Sequence, residues 1–295
     1  MHTAIAMVTR THTRTPTVTA IITTVTATTT ITTTSIAAIR PTITPITGTG
    51  TVVAVDETPK PGVSDVAFSL DSEALTKLMA WLSPSYPVGA FSYSSGIEWA
   101  VEQGDIGNAA TLHDWLAIVI GQGSGFCDAV LFAHAHGAAV AGDTDLLRSV
   151  AELAAAFAPS RERHLETTAQ GRAFLDVTRA TWPCPALDVF TASWDGAVAY
   201  PVAVAVTCAG HGIALKASLN AYLHAVASNL ISAGVRLVPL GQTDGQRILA
   251  QISPLLAETS QRAMATPFDD IGSAAFRADL AAMRHETQYT RLFRS

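Results

Sequence analysis

Apolar positions between residues 71 and 285 recur at the three- and four-residue spacing of helices, with no convincing run at the two-residue spacing of strands. After Asp71, a suitable N-cap, Leu75, Leu78, Met79 and Leu82 share one helical face, and Pro84 and Pro87 end the segment. Thr111 and Asp114 have the spacing of a capping box, followed by Leu112, Trp115, Leu116, Val119 and Ile120 as far as Gly121. Further helices are predicted over 128–140, 145–157, 161–182 and 186–194, separated by Gly142, Pro159 and the break from Pro183 to Pro185. The segment 217–235 is Ala-rich, with small residues at Ala221, Ala225, Ser228 and Ser232, and is predicted to be the central helix. Thr243 and Gln246 suggest another capping box ahead of Ile248, Leu249, Ile252, Leu255 and Leu256, with Pro254 expected to kink or divide that helix. Phe276, Leu280 and Met283 mark the last one. The pattern predicts an all-α fold, a single domain of many packed helices over residues 63–295.

The first 62 residues obey no such pattern. About a third of this stretch is Thr, interleaved with Ile, Val and Ala, and it shows neither helical spacing nor clean alternation. It reads as a disordered low-complexity extension and linker. Arg10 and Arg14, with no acid before Asp56, leave a transit-like peptide or a misplaced start as alternatives.

Composition narrows the functional classes. Of 18 Lys and Arg and 24 Asp and Glu, the first 60 residues hold four bases and two acids, so the helical body is acidic and carries no basic cluster. It lacks the electrostatic footprint of a nucleic-acid binder. Cys127, Cys184 and Cys208 are odd in number and widely spaced, which argues for a reducing, cytoplasmic setting without disulfides or a zinc knuckle. Only 14% of residues are charged and the mean hydropathy is +0.30. The most span-like stretch, 197–215, is nevertheless interrupted by Pro201, Gly210, His211 and Gly212, so a buried helix is expected rather than a membrane segment.

Conventional chemistry is sparse. His134 and His136 stand about 200° apart on a helix, too far round to share an ion, and Cys208 with His211 lies in an apolar stretch where a buried thiol and a hydrogen-bonded imidazole are the ordinary outcome. Gly121, Gly123 and Gly125 follow no strand, and neither a Walker motif nor a GxSxG elbow occurs. Polar chemistry set in apolar surroundings stands out in three places. Ser83–Glu98 combines fixed prolines with Phe91 and Tyr93; Asn229–Gln246 places Arg236 beside a Pro-Leu-Gly turn; and Met283–Ser295 interleaves Arg284, Arg291 and Arg294 with Tyr289, Leu292 and Phe293. Arg and aromatic residues together are typical interface anchors.

These segments, read as PVGAFSYSSGIEWAVEQG, NLISAGVRLVPLGQTDGQ and MRHETQYTRLFRS, resemble the UreF-type urease accessory proteins, with compatible helix order over about 75–295. The resemblance implies an all-α homodimer without catalytic activity or a stably bound cofactor. It would bind a UreD/UreH-type protein and recruit the GTPase UreG to apo-urease, with nickel passing through the complex. Glu98 matches the acidic residue of the first motif; Asn229, Arg236, Gln242, Asp244 and Gln246 match the second; Arg284, Tyr289, Arg291, Leu292 and Phe293 match a tail that docks on the UreD-type partner. Ser95 departs from the bulkier polar residue often found there, and the Thr-rich extension has no counterpart. The tail is expected to be disordered alone and to order on binding, so deleting Arg284–Ser295 should abolish partner binding with little change in helix content. Two other classes remain open: a helical enzyme using Glu98 or Asp244 as acid or base beside Arg236, and a nickel-binding chaperone using His134, His136, Cys208 or His211.

Overall fold

The computed structural model describes Asp71–Ser295; the predicted extension and linker over 1–62 lie outside the described residues. Among the described residues there are eleven α-helices and no strand. They are α1 (Ser72–Trp81), α2 (Ile97–Glu102), α3 (Ala109–Gln122), α4 (Ser124–Ala141), α5 (Thr144–Ala156), α6 (Arg161–Thr181), α7 (Pro185–Ser193), α8 (Tyr200–Gly210), α9 (Leu215–Leu237), α10 (Gln242–Ala265) and α11 (Phe276–His285). Single 3-10 turns lie at Ala90–Ser92 and Phe268–Asp270.

The centre of the bundle is α8, where the sequence pattern had pointed to α9. Every residue from Pro201 to Cys208 is buried, and α4, α6, α7 and α9 pack around it. Alternating Val and Ala give this helix a narrow profile on all sides, so four neighbours can approach it, whereas α9 keeps His224, Ser232 and Arg236 exposed. The approach of α6 depends on Gly171: a Cβ there would lie 2.1 Å from the carbonyl oxygen of Val198. Of the stretch 197–215 expected to be a buried helix, Tyr200–Gly210 is one, and residues 211–214 turn the chain into α9. The longest apolar run capable of spanning a membrane by length is instead Ala109–Ala141, with 72% of its window buried in the fold.

Helix ends follow local chemistry, with shifts from the sequence expectation. Asn108, three residues before the expected cap, accepts the Thr111 N–H through its side chain, while Thr111 Oγ1 accepts the Asn108 N–H, a complete capping box. Asp244 Oδ2 accepts the Gly241 N–H at 3.1 Å, so Asp244 rather than Gln246 occupies the third position of α10. That helix runs on through Pro254 undivided. The three glycines at 121, 123 and 125 form the tight α3–α4 junction: Cβ atoms at Gly123 and Gly125 would fall within 3 Å of Val119, Ala275 or Ile120. The junction is thus packed against neighbouring helices and leaves no space for a phosphate.

Two predicted core faces are turned outward. In α1, Leu75 and Met79 are 47% and 67% exposed, because Leu78 and Trp81 face inward and Trp81 lies edge-on to Trp182 at 6.0 Å. In α11, Phe276 is 79% exposed and Leu280 and Met283 also face out, while Ala281, Ala282 and His285 are buried. Gly96, at φ +83°, explains the second case: its missing Cβ would sit 2.7 Å from the Ala282 nitrogen, so α11 lies almost backbone to backbone on the start of α2. Only a small-residue face fits there.

Candidate functional site

The three polar segments singled out in the sequence meet at one place. Asn229 Nδ2 donates to the Ala90 carbonyl at 3.1 Å, and Arg236 donates to the carbonyls of Ser232 and Phe91 at 3.1 and 3.0 Å, tying α9 to the loop after α1. The Arg236 guanidinium lies 4.5 Å from the centroid of Phe293, which is buried, and Arg294 lies 5.9 Å from the ring of buried Tyr93. The tail thus lies against its own protein body, contrary to the expectation of disorder in isolation. Its backbone is paired: Arg294 N–H donates to the Ser92 carbonyl at 2.8 Å, and the Ser295 carbonyl accepts the N–H and hydroxyl of Ser94, each at 2.5 Å. Peptide groups with such partners do not need a second protein to be satisfied.

Beneath the tail is a cluster of ionisable side chains. Glu98, in the first turn of α2, accepts the backbone N–H groups of Leu292 and Phe293 at 2.5 and 2.9 Å. His285, fully buried at the end of α11, places Nε2 3.1 Å from Glu98 Oε2 and Nδ1 2.6 Å from Glu162 Oε2. The other Glu162 oxygen accepts from Arg291 at 2.7 Å. A second group continues along α6: Arg163 donates to Glu166 at 2.7 Å and lies 3.8 Å from Asp128, Ser95 donates to Glu166, and the Ser295 hydroxyl donates to Glu166 at 2.9 Å. Ser95, the position that departs from the family pattern, therefore has a defined role here. Glu162, Arg163, Glu166 and Gln170 occupy one side of α6, and that polar helical stripe was the sequence signal for this cluster.

Burial governs the electrostatics. Desolvation pushes the Asp128 carboxyl up from 3.8 to about 6, with Arg163 opposing the shift. Burial works against the charge of Arg163, but Glu166 and Asp128 more than offset it and hold the guanidinium firmly protonated. Asp128, Arg163, Ser124 and Thr167 form the shared wall of two cavities of about 490 and 270 Å³. Because the folded-state value of Asp128 lies above its unfolded one, its stabilising contribution is present below pH 4 and is lost as pH rises through about 6. Asp128→Asn is therefore expected to gain on the wild type by ~1–3 kcal/mol between pH 4 and 7. Urea unfolding at both pH values checks this; a difference that stays constant with pH would contradict it.

The remaining sequence candidates separate. Gln242 is exposed at the start of α10; Asp244 caps that helix and pairs with Arg247 at 2.8 Å; and Gln246 lines the larger cavity. Arg284, Tyr289 and Leu292 point outward, Tyr289 fully exposed and Leu292 at 68%, while Arg291 is partly exposed and paired with Glu162. No hydrogen bond or ion pair among the described residues joins Arg236 to Glu98 or Asp244, and Glu98 is committed to two peptide groups and His285. His134, His136 and His211 each meet a backbone carbonyl, of Thr266, Ile213 and Trp182, at 2.8 to 3.1 Å. Burial pushes the Cys208 thiol up to about 12, far from a metal-binding thiolate. Among the described residues no group of three His, Cys, Asp or Glu side chains is placed to hold a metal.

The described residues thus form an all-helical body that seats its own Arg- and aromatic-rich terminus. The UreF family model matches residues 106–253. The urease accessory protein UreF of Bradyrhizobium sp. strain BTAi1 is 61% identical over 236 residues, 80% of this chain and 98% of its own length. Those of Rhodopseudomonas palustris strain BisB18 and Bradyrhizobium diazoefficiens strain USDA 110 are each 59% identical, over 78% and 76% of this chain and 96% and 93% of their own. The chain belongs to the UreF family of urease accessory proteins, and it is not an enzyme.

Proposed function

We propose that this protein is a cytoplasmic scaffold of urease maturation that joins a UreD/UreH-type accessory protein and the GTPase UreG on apo-urease. The observation that carries this reading is the convergence of the three polar segments on one surface, where exposed Tyr289 and Leu292 stand beside exposed Arg284 and Arg291. Exposed aromatic and aliphatic groups framed by Arg form the kind of patch that a protein partner desolvates. In this reading nickel is cargo handled in transit by the complex and no cofactor is held stably. In the larger cavity, between α4, α6 and α9, Asp128 and Glu166 are already engaged by Arg163, so no free acid cluster is offered there to retain a cation. Exposed Leu75, Met79 and Phe276 leave apolar surface for a second copy, consistent with a homodimer.

The test is reconstitution. Co-purification of the full chain with both accessory partners and apo-urease is expected to yield one complex. Urease activity after supplying nickel and bicarbonate should depend on the presence of this chain. The same activation yield with the chain omitted would overturn the proposal.

A further inference from the structure

Fully buried His285 is the one side chain that touches both carboxylates beneath the tail. A neutral imidazole has a single N–H, and ionised carboxylates only accept, so a ring facing Glu98 on one side and Glu162 on the other satisfies both only when both nitrogens carry protons. Each carboxylate then spends its remaining acceptor capacity on the tail: Glu98 takes the N–H groups of Leu292 and Phe293, and Glu162 takes Arg291. His285 thus holds the two carboxylates on either side of a single buried side chain.

We propose that His285 is the positioning residue of the C-terminal segment: by bridging Glu98 and Glu162 it fixes the two carboxylates that seat residues 291–293, and so sets the outward display of Tyr289 and Leu292 to the UreD/UreH-type partner. The last clause rests on the function proposed above, whereas the latch itself does not. The alternation of buried Phe293 and Ser295 with exposed Leu292 and Arg294 follows from this seating. A tail freed from Glu98 would lose the two main-chain bonds that fix Leu292 outward and Phe293 inward.

The experiment uses the full chain and reads tail order and partner capture separately. In the wild type, the Leu292 and Phe293 amides are expected to exchange more slowly than those of Tyr289 and Thr290; equal exchange would overturn the latch. His285→Gln is expected to speed tryptic cleavage after Arg291 about tenfold, because cleavage follows the population of the open tail, with helix content unchanged. Adding Glu162→Gln to that variant keeps an acceptor oxygen for Arg291 but removes one of the two facing carboxylates, and should restore part of the protection. A residue that merely fills space predicts no such recovery, and its absence would refute the bridging role. Unchanged cleavage in His285→Gln refutes the latch outright. Faster cleavage with loss of capture supports the whole proposal, whereas faster cleavage with undiminished capture upholds the latch and overturns the claim that this segment meets the partner.

Discussion

A chain ending at Thr287 is expected to keep its helices and lose capture of the UreD/UreH-type partner by at least ~100-fold. Such a truncation removes Tyr289, Leu292 and Arg291 from the surface, and one or two aromatic or Arg anchors commonly carry several kcal/mol of an interface. It leaves α11 and His285 in place, so Glu98 and Glu162 keep the imidazole between them. The deletion suggested by the sequence alone, Arg284–Ser295, has a different cost. It also removes His285, the side chain that stands between Glu98 and Glu162, and the end of α11. The shorter truncation also takes the Leu292 and Phe293 N–H groups from Glu98, Arg291 from Glu162 and the buried Phe293 ring, so both deletions carry a stability cost and only the longer one cuts into α11 as well. Pull-down of the partner beside a thermal melt of each truncation checks both points; wild-type capture by the chain ending at Thr287 would refute the display surface.

The largest effect on stability is expected from Arg163→Met. This side chain is the cation shared by Asp128 and Glu166, and it also donates to Ser95 at 3.2 Å, all at the wall between the two cavities. A methionine fills similar volume but supplies no charge, so the acids lose their compensation at a cost of about 3–5 kcal/mol near neutral pH. For a domain of this size that corresponds to a fall in Tm of roughly 10 °C. The penalty should shrink toward pH 5, because Asp128 is already pushed up to about 6 by burial and escapes its unpaired charge by taking up a proton. Denaturant unfolding at pH 5 and 7.5 measures this. An equal loss at both values would show that Arg163 acts by packing rather than by charge.

Much of the architecture was legible in periodicity. The predicted helices over 128–140, 145–157, 161–182 and 186–194 match α4 to α7 to within a few residues, since proline and glycine punctuation acts locally. The side of each helix that meets the core was less legible. Leu75, Met79 and Phe276 look like core positions by spacing, yet Trp81 in α1 and the Ala281–Ala282 face in α11 won the contact, because the shape of the neighbouring surface selects the face.

The candidate site divides in the same way. Phe91, Tyr93, Glu98, Asn229, Arg236 and the tail were recognisable from residue type and family resemblance. Their partners Glu162, Arg163, Glu166, Asp128 and His285 were not, because on a linear chain a Glu on a polar helix reads as a solvated face. The stripe 162, 163, 166 and 170 was the available signal, and it pointed inward only once α2 and the tail lay across it.

By itself the sequence determined the helical class, the approximate extents of α4 to α7, the acidic and cysteine-poor character and the family, all of which rest on interactions within a few residues or on local composition. The tertiary structure alone decided that α8 is the centre, that the tail folds back on its own body, and that His285 stands between Glu98 and Glu162. Those outcomes depend on side chains more than a hundred residues apart meeting where water is excluded, and only there does an ordinary Glu or His become a buried charge that needs a partner.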